Sequence, residues 1–169
     1  MLYGTMSYVV NRFGKILMIR KNMRENDPNS KFYTLPGGKL EPGEKGLKNP
    51  EGRLESGIRE TEDETGITIL KPIIRGTILF NNSERIFDNW PNPEDYYVSI
   101  LFAKKFEGKF KSSEEGNPVW IPKNNVIYLP KNPGDALMYE WLRKGKKFVG
   151  VIKHKGNEID KEGTWVDWI

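Results

Sequence analysis

Two stretches with helical periodicity stand among many short apolar runs, and this arrangement limits the fold to a few classes. Arg53–Thr65 has apolar residues spaced for a helix and ends before Gly66, and Asp135–Lys144 carries a second apolar stripe. The predicted strands are Thr5–Val10, Lys15–Arg20, Phe32–Leu35, Ile67–Leu70, Ile73–Phe80, Tyr96–Phe106, Pro118–Ile121 and Phe148–Lys153. Strands on both sides of one central helix, with a second helix late in the chain, predict an α/β fold with a mixed sheet between helical layers.

Polar segments separate these elements. Residues 11–14 predict a hairpin-type turn between the first two strands, while residues 21–30, 39–52 and 81–95 predict loops. The last strand is expected to take part in a terminal hairpin. A chain of 169 residues is long enough for one ordinary core and short for two, so we expect a single domain over residues 1–169.

The composition excludes several classes of protein. No cysteine is present, which rules out disulfides, thiolate zinc sites and cysteine nucleophiles. The longest apolar runs have the length of strands rather than of membrane spans, and no secretory signal is recognised at the N-terminus. We therefore expect a cytoplasmic protein that does not enter a membrane.

The charge balance favours a small anionic ligand over a nucleic-acid partner. The chain has 27 basic and 23 acidic residues, which is only a mild excess. The basic residues are spread along the sequence, apart from a modest cluster within residues 143–147. A diffuse positive field of this kind helps to attract a polyphosphate.

The acidic residues of the first helix are arranged for a metal ion. Glu60, Asp63 and Glu64 have the spacing i, i+3 and i+4, which brings three carboxylates to one side of a helix. Leu54 and Ile58 are expected to dock the helix on the sheet. Carboxylates repel each other unless a cation lies between them, and oxygen ligands without His or Cys select Mg²⁺ or Mn²⁺.

A second interpretation of this helix is a solvated surface with ion pairs. Arg59 has acidic residues four positions before and after it, at Glu55 and Asp63, and such pairs contribute only about 0.3–0.5 kcal/mol each. Considered alone, the helix favours this surface interpretation. The Gly37-Gly38 pair, predicted as a turn, would let backbone groups approach a metal or a phosphate, although it is also typical of an ordinary loop.

Taken together, these segments resemble the Nudix box, over residues 37–67. The matching residues are Gly38 and Glu44 in the first part, and Arg59, Glu60, Glu64, Gly66 and Ile67 in the second. Fourteen residues separate Glu44 from Arg59, twice the family's spacing, which predicts an enlarged loop at about residues 45–52. Asp63 replaces a glutamate, and Thr61 replaces an apolar residue, which is expected to weaken helix docking slightly.

The resemblance implies a Nudix-type α/β/α sandwich and a metal-dependent pyrophosphohydrolase. By position, Glu60, Asp63, Glu64 and the Gly38 carbonyl would hold Mg²⁺, with Mn²⁺ as the alternative, and Glu60 would orient ligands or act as base. Arg59 would hold Glu44. The resemblance also implies residues outside the helix. Glu115, with Glu114 next, would be a further metal ligand, although a plain loop residue is the alternative. Gly37, Lys39 and Arg20 would lie near the phosphates.

The C-terminal third resembles the oxidised-purine, MutT-like branch of the family. That branch hydrolyses 8-oxo-dGTP to the monophosphate and pyrophosphate, and it implies base contacts from Trp120, Asp135 and Thr34. A core tryptophan and a helix-capping aspartate are the structural alternatives for Trp120 and Asp135. Other substrates remain alternatives, namely ADP-ribose, a dinucleotide polyphosphate or an RNA 5′ end.

The expected partner is a small nucleotide rather than a stable nucleic acid, and the protein is expected to be a monomer or a homodimer. Two non-catalytic alternatives stay open: a Nudix-like module that binds a nucleotide without turnover, and a protein that binds nucleic acid.

Overall fold

A computed structural model describes residues 1–23, 32–41, 52–86 and 93–169. The strands are β1 Leu2–Val9, β2 Lys15–Lys21, β3 Tyr33–Thr34, β4 Gly37–Lys39, β5 Ile67–Leu70, β6 Ile73–Arg85, β7 Tyr96–Ala103, β8 Lys105–Gly108, β9 Gly116–Pro122, β10 Phe148–Gly156, β11 Glu158–Ile159 and β12 Trp165–Trp168. The helices are α1 Arg53–Thr65, α2 Pro133–Arg143 and a short 3₁₀ helix, Lys123–Tyr128, that the sequence did not indicate.

The largest sheet is mixed, as predicted. Its strand order is β11-β10-β6-β7-β1-β4, and β12 also pairs with β10. The β1–β7 and β6–β10 pairs are parallel, whereas β6–β7 and β1–β4 are antiparallel. Helix α1 packs against β1, β4 and β5, and α2 packs against β6, β10 and β11. The α/β/α sandwich is therefore confirmed.

The predicted hairpin between the first two strands is only partly correct. The turn at residues 11–14 forms, with Gly14 at a φ of 72°, but a single bridge from Val10 to Ile16 joins its arms. Strand β2 belongs instead to a separate antiparallel sheet, in which it lies between β3 and β9. Its apolar run is buried on both faces, because Ile16 and Met18 belong to one core and Leu17 to the other.

Helix α1 has the predicted bounds but docks through a different face. Leu54, expected to dock the helix, is 42% exposed, and Ile58 is only partly buried. The buried residues are Ser56, Gly57, Thr61 and Thr65. Gly57 lies against Leu101, where a Cβ would come within 2.3 Å of a side-chain carbon. Because the side chains on this face are small, the helix can lie close to the sheet.

Thr61 stabilises this docking, contrary to the expectation that it would weaken it. Its hydroxyl lies 2.8 Å from the Ser7 hydroxyl of β1 and 2.7 Å from the Gly57 carbonyl oxygen. The Thr5 and Ser56 hydroxyls approach each other to 3.3 Å on the same face. Buried hydroxyls are satisfied in this way by hydrogen bonds between helix and strand.

Two predicted boundaries were wrong because strand pairing overrides local polarity. Residues 81–85 were expected to begin a loop, but they continue β6, which pairs with β10 as far as Arg85 and Gly156. The strand expected over Tyr96–Phe106 is instead divided, and β8 pairs with β5 in a separate sheet. In the described part of the chain, the terminal hairpin forms between β10 and β12, and no helix is long and apolar enough to cross a bilayer.

Candidate active site

Helix α1 and the edge strand β4 form an acidic pocket. Glu60 and Glu64 lie one turn apart on α1 and line this pocket together with Gly37 and Gly38. The Gly37 N–H donates a hydrogen bond of 3.1 Å to Glu64 Oε2. The carboxylates therefore face the strand backbone rather than bulk water.

Gly37 and Gly38 are extended and paired with β1, not a turn as predicted. Neither residue has a positive φ, so the conformational freedom of glycine does not explain why glycine occupies these two positions. Close approach does, because a Cβ at Gly38 would lie 2.5 Å from the carboxyl carbon of Glu60. A Cβ at Gly37 would lie 2.1 Å from the Thr5 carbonyl oxygen.

Arg59 connects the helix to the segment that follows β4. Its Nη1 lies 2.9 Å from Glu60 Oε1 and 4.0 Å from Glu41 Oε1, and its Nη2 donates to the Lys39 carbonyl oxygen at 3.5 Å. This guanidinium orients Glu60 by a charge-assisted hydrogen bond. The predicted partner Glu44 and most of the enlarged loop, residues 45–51, lie outside the described residues.

Asp63 does not share the pocket with the other helical carboxylates. Its side chain is 64% exposed and lies 3.6 Å from Arg59 Nη1. It lines a neighbouring shallow depression on the side of α1 that carries Glu55 and Glu62. With about 3.6 residues per turn, positions i and i+4 are nearly in line, whereas i+3 points to the other side of position i. Of the three helical carboxylates, the structure therefore brings together Glu60 and Glu64.

Glu115 joins them from the loop before β9. It lines the acidic pocket, and its Oε2 lies 3.4 Å from Lys21 Nζ. The Asn22 N–H donates to the Glu115 carbonyl oxygen at 3.0 Å, which fixes this loop beside β2. Glu114, the second choice for this position, is exposed.

The carboxyl group of Glu64 is costly to ionise in this pocket. Burial raises the pKa of Glu64 to about 8. The Gly37 hydrogen bond and Lys21 oppose this increase in pKa, and the charges of Glu60 and Glu115 reinforce it. A bound divalent cation would remove this electrostatic cost.

The residues of the acidic pocket fit a hard divalent ion. In the described ranges, no three acidic or imidazole side chains converge closely enough to enclose an ion by themselves. Mg²⁺ does not need such a cage, because it keeps several waters and binds to one or two carboxylates. Glu60 and Glu64, with Glu115 nearby, provide that donor set.

A cavity of about 340 Å³ adjoins the acidic pocket, and both are lined by Gly37, Gly38 and Lys39. Of the predicted base contacts, Thr34 and Asp135 line this cavity. Asp135 is in the first turn of α2 but does not cap it, since Asn132 is the N-cap residue. A groove that joins carboxylates to a cavity matches a ligand with a polar end and a bulky end.

Ionisable groups face each other in this cavity. Burial raises the pKa of Asp135 to about 6, although Arg85 acts to lower it. Burial lowers the pKa of Arg85 to about 10, and Asp135 opposes that. The Arg85 Nη2 donates to Asn132 Oδ1 at 3.0 Å. These residues form a buried polar wall beside the N-terminus of α2.

Lys21, not Arg20, faces the cavity. Arg20 was predicted to neutralise phosphate, but its side chain is exposed on β2. Adjacent residues of a strand point to opposite sides, so the neighbouring Lys21 lines the cavity and contacts Glu115. The contact of Arg20 with phosphate stays a prediction, and of the two residues Lys21 is the cation that the structure places at the cavity.

Trp120 is not near Asp135. Its ring packs at 5.2 Å from Phe106 and 5.8 Å from Phe110, measured between centroids, and it lines a separate depression. On β9 its neighbours Val119 and Ile121 pack toward the core that also contains Met138, whereas Trp120 packs toward the other core. Strand alternation thus separates it from the cavity, and we do not include it in a base pocket.

Several cavity residues were missed from the sequence. They are Lys21, Asn82, Arg85, Tyr96 and His154. One signal was present, because Asn82 and His154 each continue an alternating buried pattern, after Ile78 and Phe80 in β6 and after Ile152 in β10. A polar residue buried at such a position needs a hydrogen-bond partner, from the protein or from a ligand.

Comparison with known proteins identifies the family. The NUDIX domain profile matches residues 3–142. An uncharacterized Nudix hydrolase of Bacillus subtilis, YvcI, is 30% identical over 135 residues, which cover 78% of this chain and 73% of that protein. The chain therefore belongs to the Nudix hydrolase family, a family of pyrophosphohydrolases.

Solved structures share the fold. The MutT protein of Bacillus halodurans superposes with a TM-score of 0.74 and 26% identity, covering 99% of this chain and 97% of that one. The NUDIX domain of Shewanella oneidensis NrtR, complexed with ADP ribose, has a TM-score of 0.65 and 14% identity, covering 85% and 87%. The first likeness indicates a MutT-like member, and the second shows the fold alone.

Proposed function

We propose that this enzyme hydrolyses a purine nucleoside triphosphate, with oxidised forms such as 8-oxo-dGTP first, to the monophosphate and pyrophosphate. The observation that carries the proposal is the shared wall of Gly37, Gly38 and Lys39. It joins a pocket of carboxylates to a cavity of about 340 Å³. A triphosphate on this wall would put its phosphates beside the carboxylates and its base in the cavity.

The carboxylates are assigned to the divalent ion and to the attacking water. Glu64 and Glu60, with Glu115 and the Gly38 carbonyl, would hold Mg²⁺, or Mn²⁺ in its place. When bound, this ion supplies positive charge to the phosphates and lowers the pKa of water. Asp63 is assigned a weaker, outer role, because its side chain is 64% exposed.

The remaining groups position the reactants. Arg59 holds Glu60 through the 2.9 Å contact, so this carboxylate is available as a ligand or as the base that accepts the proton of water. Lys21 and Lys39 are suited to neutralise phosphate oxygens, because Lys39 lines both the cavity and the acidic pocket and Lys21 lines the cavity beside Glu115. Attack of water on phosphorus then breaks the bond to the pyrophosphate oxygen.

A substrate panel with Mg²⁺ tests the proposal. We expect pyrophosphate and a monophosphate from a purine triphosphate, with faster release from 8-oxo-dGTP than from dGTP. Preferred cleavage of ADP-ribose, as the NrtR complex would suggest, or of a dinucleotide polyphosphate would overturn the substrate assignment. Binding of these ligands without any turnover would overturn the catalytic one.

Two substitutions in α1 test whether the activity measured in this panel depends on the acidic pocket. Glu64→Gln should lower kcat by about 100-fold or more at saturating metal. Glu62→Gln is the matched control, because Glu62 is exposed and accepts a 3.0 Å hydrogen bond from Thr68 outside the acidic pocket. Equal rates for the two variants would refute the assignment of Glu64.

A further inference from the structure

His154, the single histidine of the chain, lines the cavity and has one ring nitrogen with a hydrogen-bond partner and one with none among the described residues. The residue is 1% exposed. Its Nδ1 lies 3.0 Å from Asn82 Oδ1. In the described part of the chain, its Nε2 is buried and has no hydrogen-bond partner, while the residue lines the cavity. A buried unsatisfied nitrogen is costly unless a ligand completes it.

The hydrogen-bond network determines which nitrogen carries the proton. Asn82 Nδ2 donates to the Glu94 carbonyl oxygen at 2.9 Å, which directs the amide oxygen toward His154. An amide oxygen only accepts, so Nδ1 must be the protonated nitrogen and Nε2 carries a lone pair. Burial and the charge of Arg85 lower the pKa of His154 to about 4, so the ring is neutral near neutral pH.

The ring is fixed in place by its neighbours. It stacks on Phe80, with centroids 6.4 Å apart and planes at 18°. A Cβ at Gly134 would lie 2.8 Å from both Cε1 and Nε2, so glycine allows α2 to approach the ring edge. The register of β6 and β10 shifts between Lys153 and Lys155, beside His154. Irregular pairing of this kind re-aims side chains at sites.

We infer that His154 is a specificity-determining residue whose Nε2 accepts a hydrogen bond from an N–H group of the nucleobase. The inference rests on the proposed function and extends it to β10, which lies beyond residue 142, where the family match ends. With the Asp135 carboxylate, the cavity has two acceptors near the start of α2. Two such acceptors favour a base that presents more than one N–H donor.

Guanine-type bases meet this requirement, since the ring N1–H and the exocyclic amine are adjacent donors. Adenine has one exocyclic amine, which lies between ring nitrogens that only accept hydrogen bonds. One of the two acceptors of the cavity would therefore face an acceptor of the base. The cavity should discriminate strongly between the two, because a buried acceptor without its donor is penalised. We expect guanine nucleotides to bind at least about tenfold more tightly than adenine nucleotides.

The test measures binding without metal and without turnover, using dGMP, 8-oxo-dGMP and dAMP in calorimetry. The variant His154→Asn keeps a side-chain N–H for Asn82 and removes the group at Nε2. We expect it to lower the affinity for both guanine nucleotides by about three- to tenfold and to leave that for dAMP unchanged. Equal losses for all three, or no loss, would overturn the inference.

A second measurement requires no substitution. With ¹⁵N-labelled histidine, the one imidazole gives an unprotonated Nε2 signal that should move upfield on addition of dGMP and stay in place with dAMP. An unchanged signal at saturating dGMP would overturn the inference even if the variant failed to fold. If base selectivity holds but the panel shows no hydrolysis, only the proposed function fails. If hydrolysis holds and His154→Asn keeps full selectivity, only the inference fails.

Discussion

The Gly37 N–H donates a 3.1 Å hydrogen bond to Glu64 Oε2, which links the edge strand β4 to the acidic face of α1. The same strand pairs with β1, which in turn bonds to α1 through Ser7 and Thr61. The position of the carboxylate is therefore set by two independent contacts with the main sheet. Catalytic groups held by rigid elements in this way keep their geometry without substrate.

The two glycines of β4 should respond differently to alanine. In Gly38→Ala, the atoms nearest to the added Cβ belong to the flexible end of Glu60, at 2.5 Å, so we expect a loss of kcat of about tenfold or more and a stability change under about 1 kcal/mol. In Gly37→Ala, the Cβ meets the Thr5 backbone, at 2.1 Å, and we expect a loss of about 2 kcal/mol or more. Urea unfolding and steady-state kinetics check the pair. The opposite order of stabilities would contradict the geometry.

The two acids at the end of α1 should be unequal. Because the Asp63 side chain is 64% exposed and outside the acidic pocket, Asp63→Asn is expected to lower kcat/KM by about tenfold at most, far less than Glu64→Gln. Kinetics over a range of Mg²⁺ concentrations make the comparison. A similar loss in both variants would show that Asp63 reaches the ion directly.

Thr61→Val tests the polar docking of α1. Valine has the same shape but cannot bond to Ser7 or to the Gly57 carbonyl oxygen, so we expect destabilisation of about 1–2 kcal/mol with kcat unchanged. Thr68→Val is the matched control: it removes an exposed hydroxyl contact and should cost less than about 0.5 kcal/mol. Urea unfolding at neutral pH measures both. An increase in stability for Thr61→Val would support the earlier expectation of an apolar residue.

His154 should make folding stability depend on pH. Its pKa is lowered from 6.5 to about 4 in the folded protein, so the unfolded chain binds more protons between these values. Stability is therefore lost as the pH falls through that window, by about 3 kcal/mol at most. Asp135, with its pKa raised to about 6, acts with the opposite sign, because the folded state then holds more protons.

A comparison of the wild type with His154→Asn isolates the contribution of the histidine to the pH dependence of stability. Asp135 and the other groups titrate similarly in the wild type and in His154→Asn, so their contributions largely cancel in the difference. We expect the wild type to lose more free energy of unfolding than His154→Asn when the pH is lowered from about 7 to about 5. Parallel urea-derived curves for the two proteins would be inconsistent with a buried neutral imidazole.

The sequence by itself determined the mixed α/β fold, the bounds of α1 and the family. These follow from local periodicity and from a motif whose residues are close together in the chain. Glu60 and Glu64 could be paired from the sequence because helical geometry fixes their relation. The placement of Glu115 beside them, chosen on resemblance, depends on a loop held between β2 and β9.

Only the tertiary structure decided which side chains share a cavity. Arg20 and Trp120 were assigned by position, but strand alternation turns both away, and Lys21 lines the cavity instead. Asn82 and His154 meet although they lie 72 positions apart in the sequence. Their contact exists because β6 and β10 are parallel neighbours, and long-range strand pairing is not encoded in the local pattern of either strand.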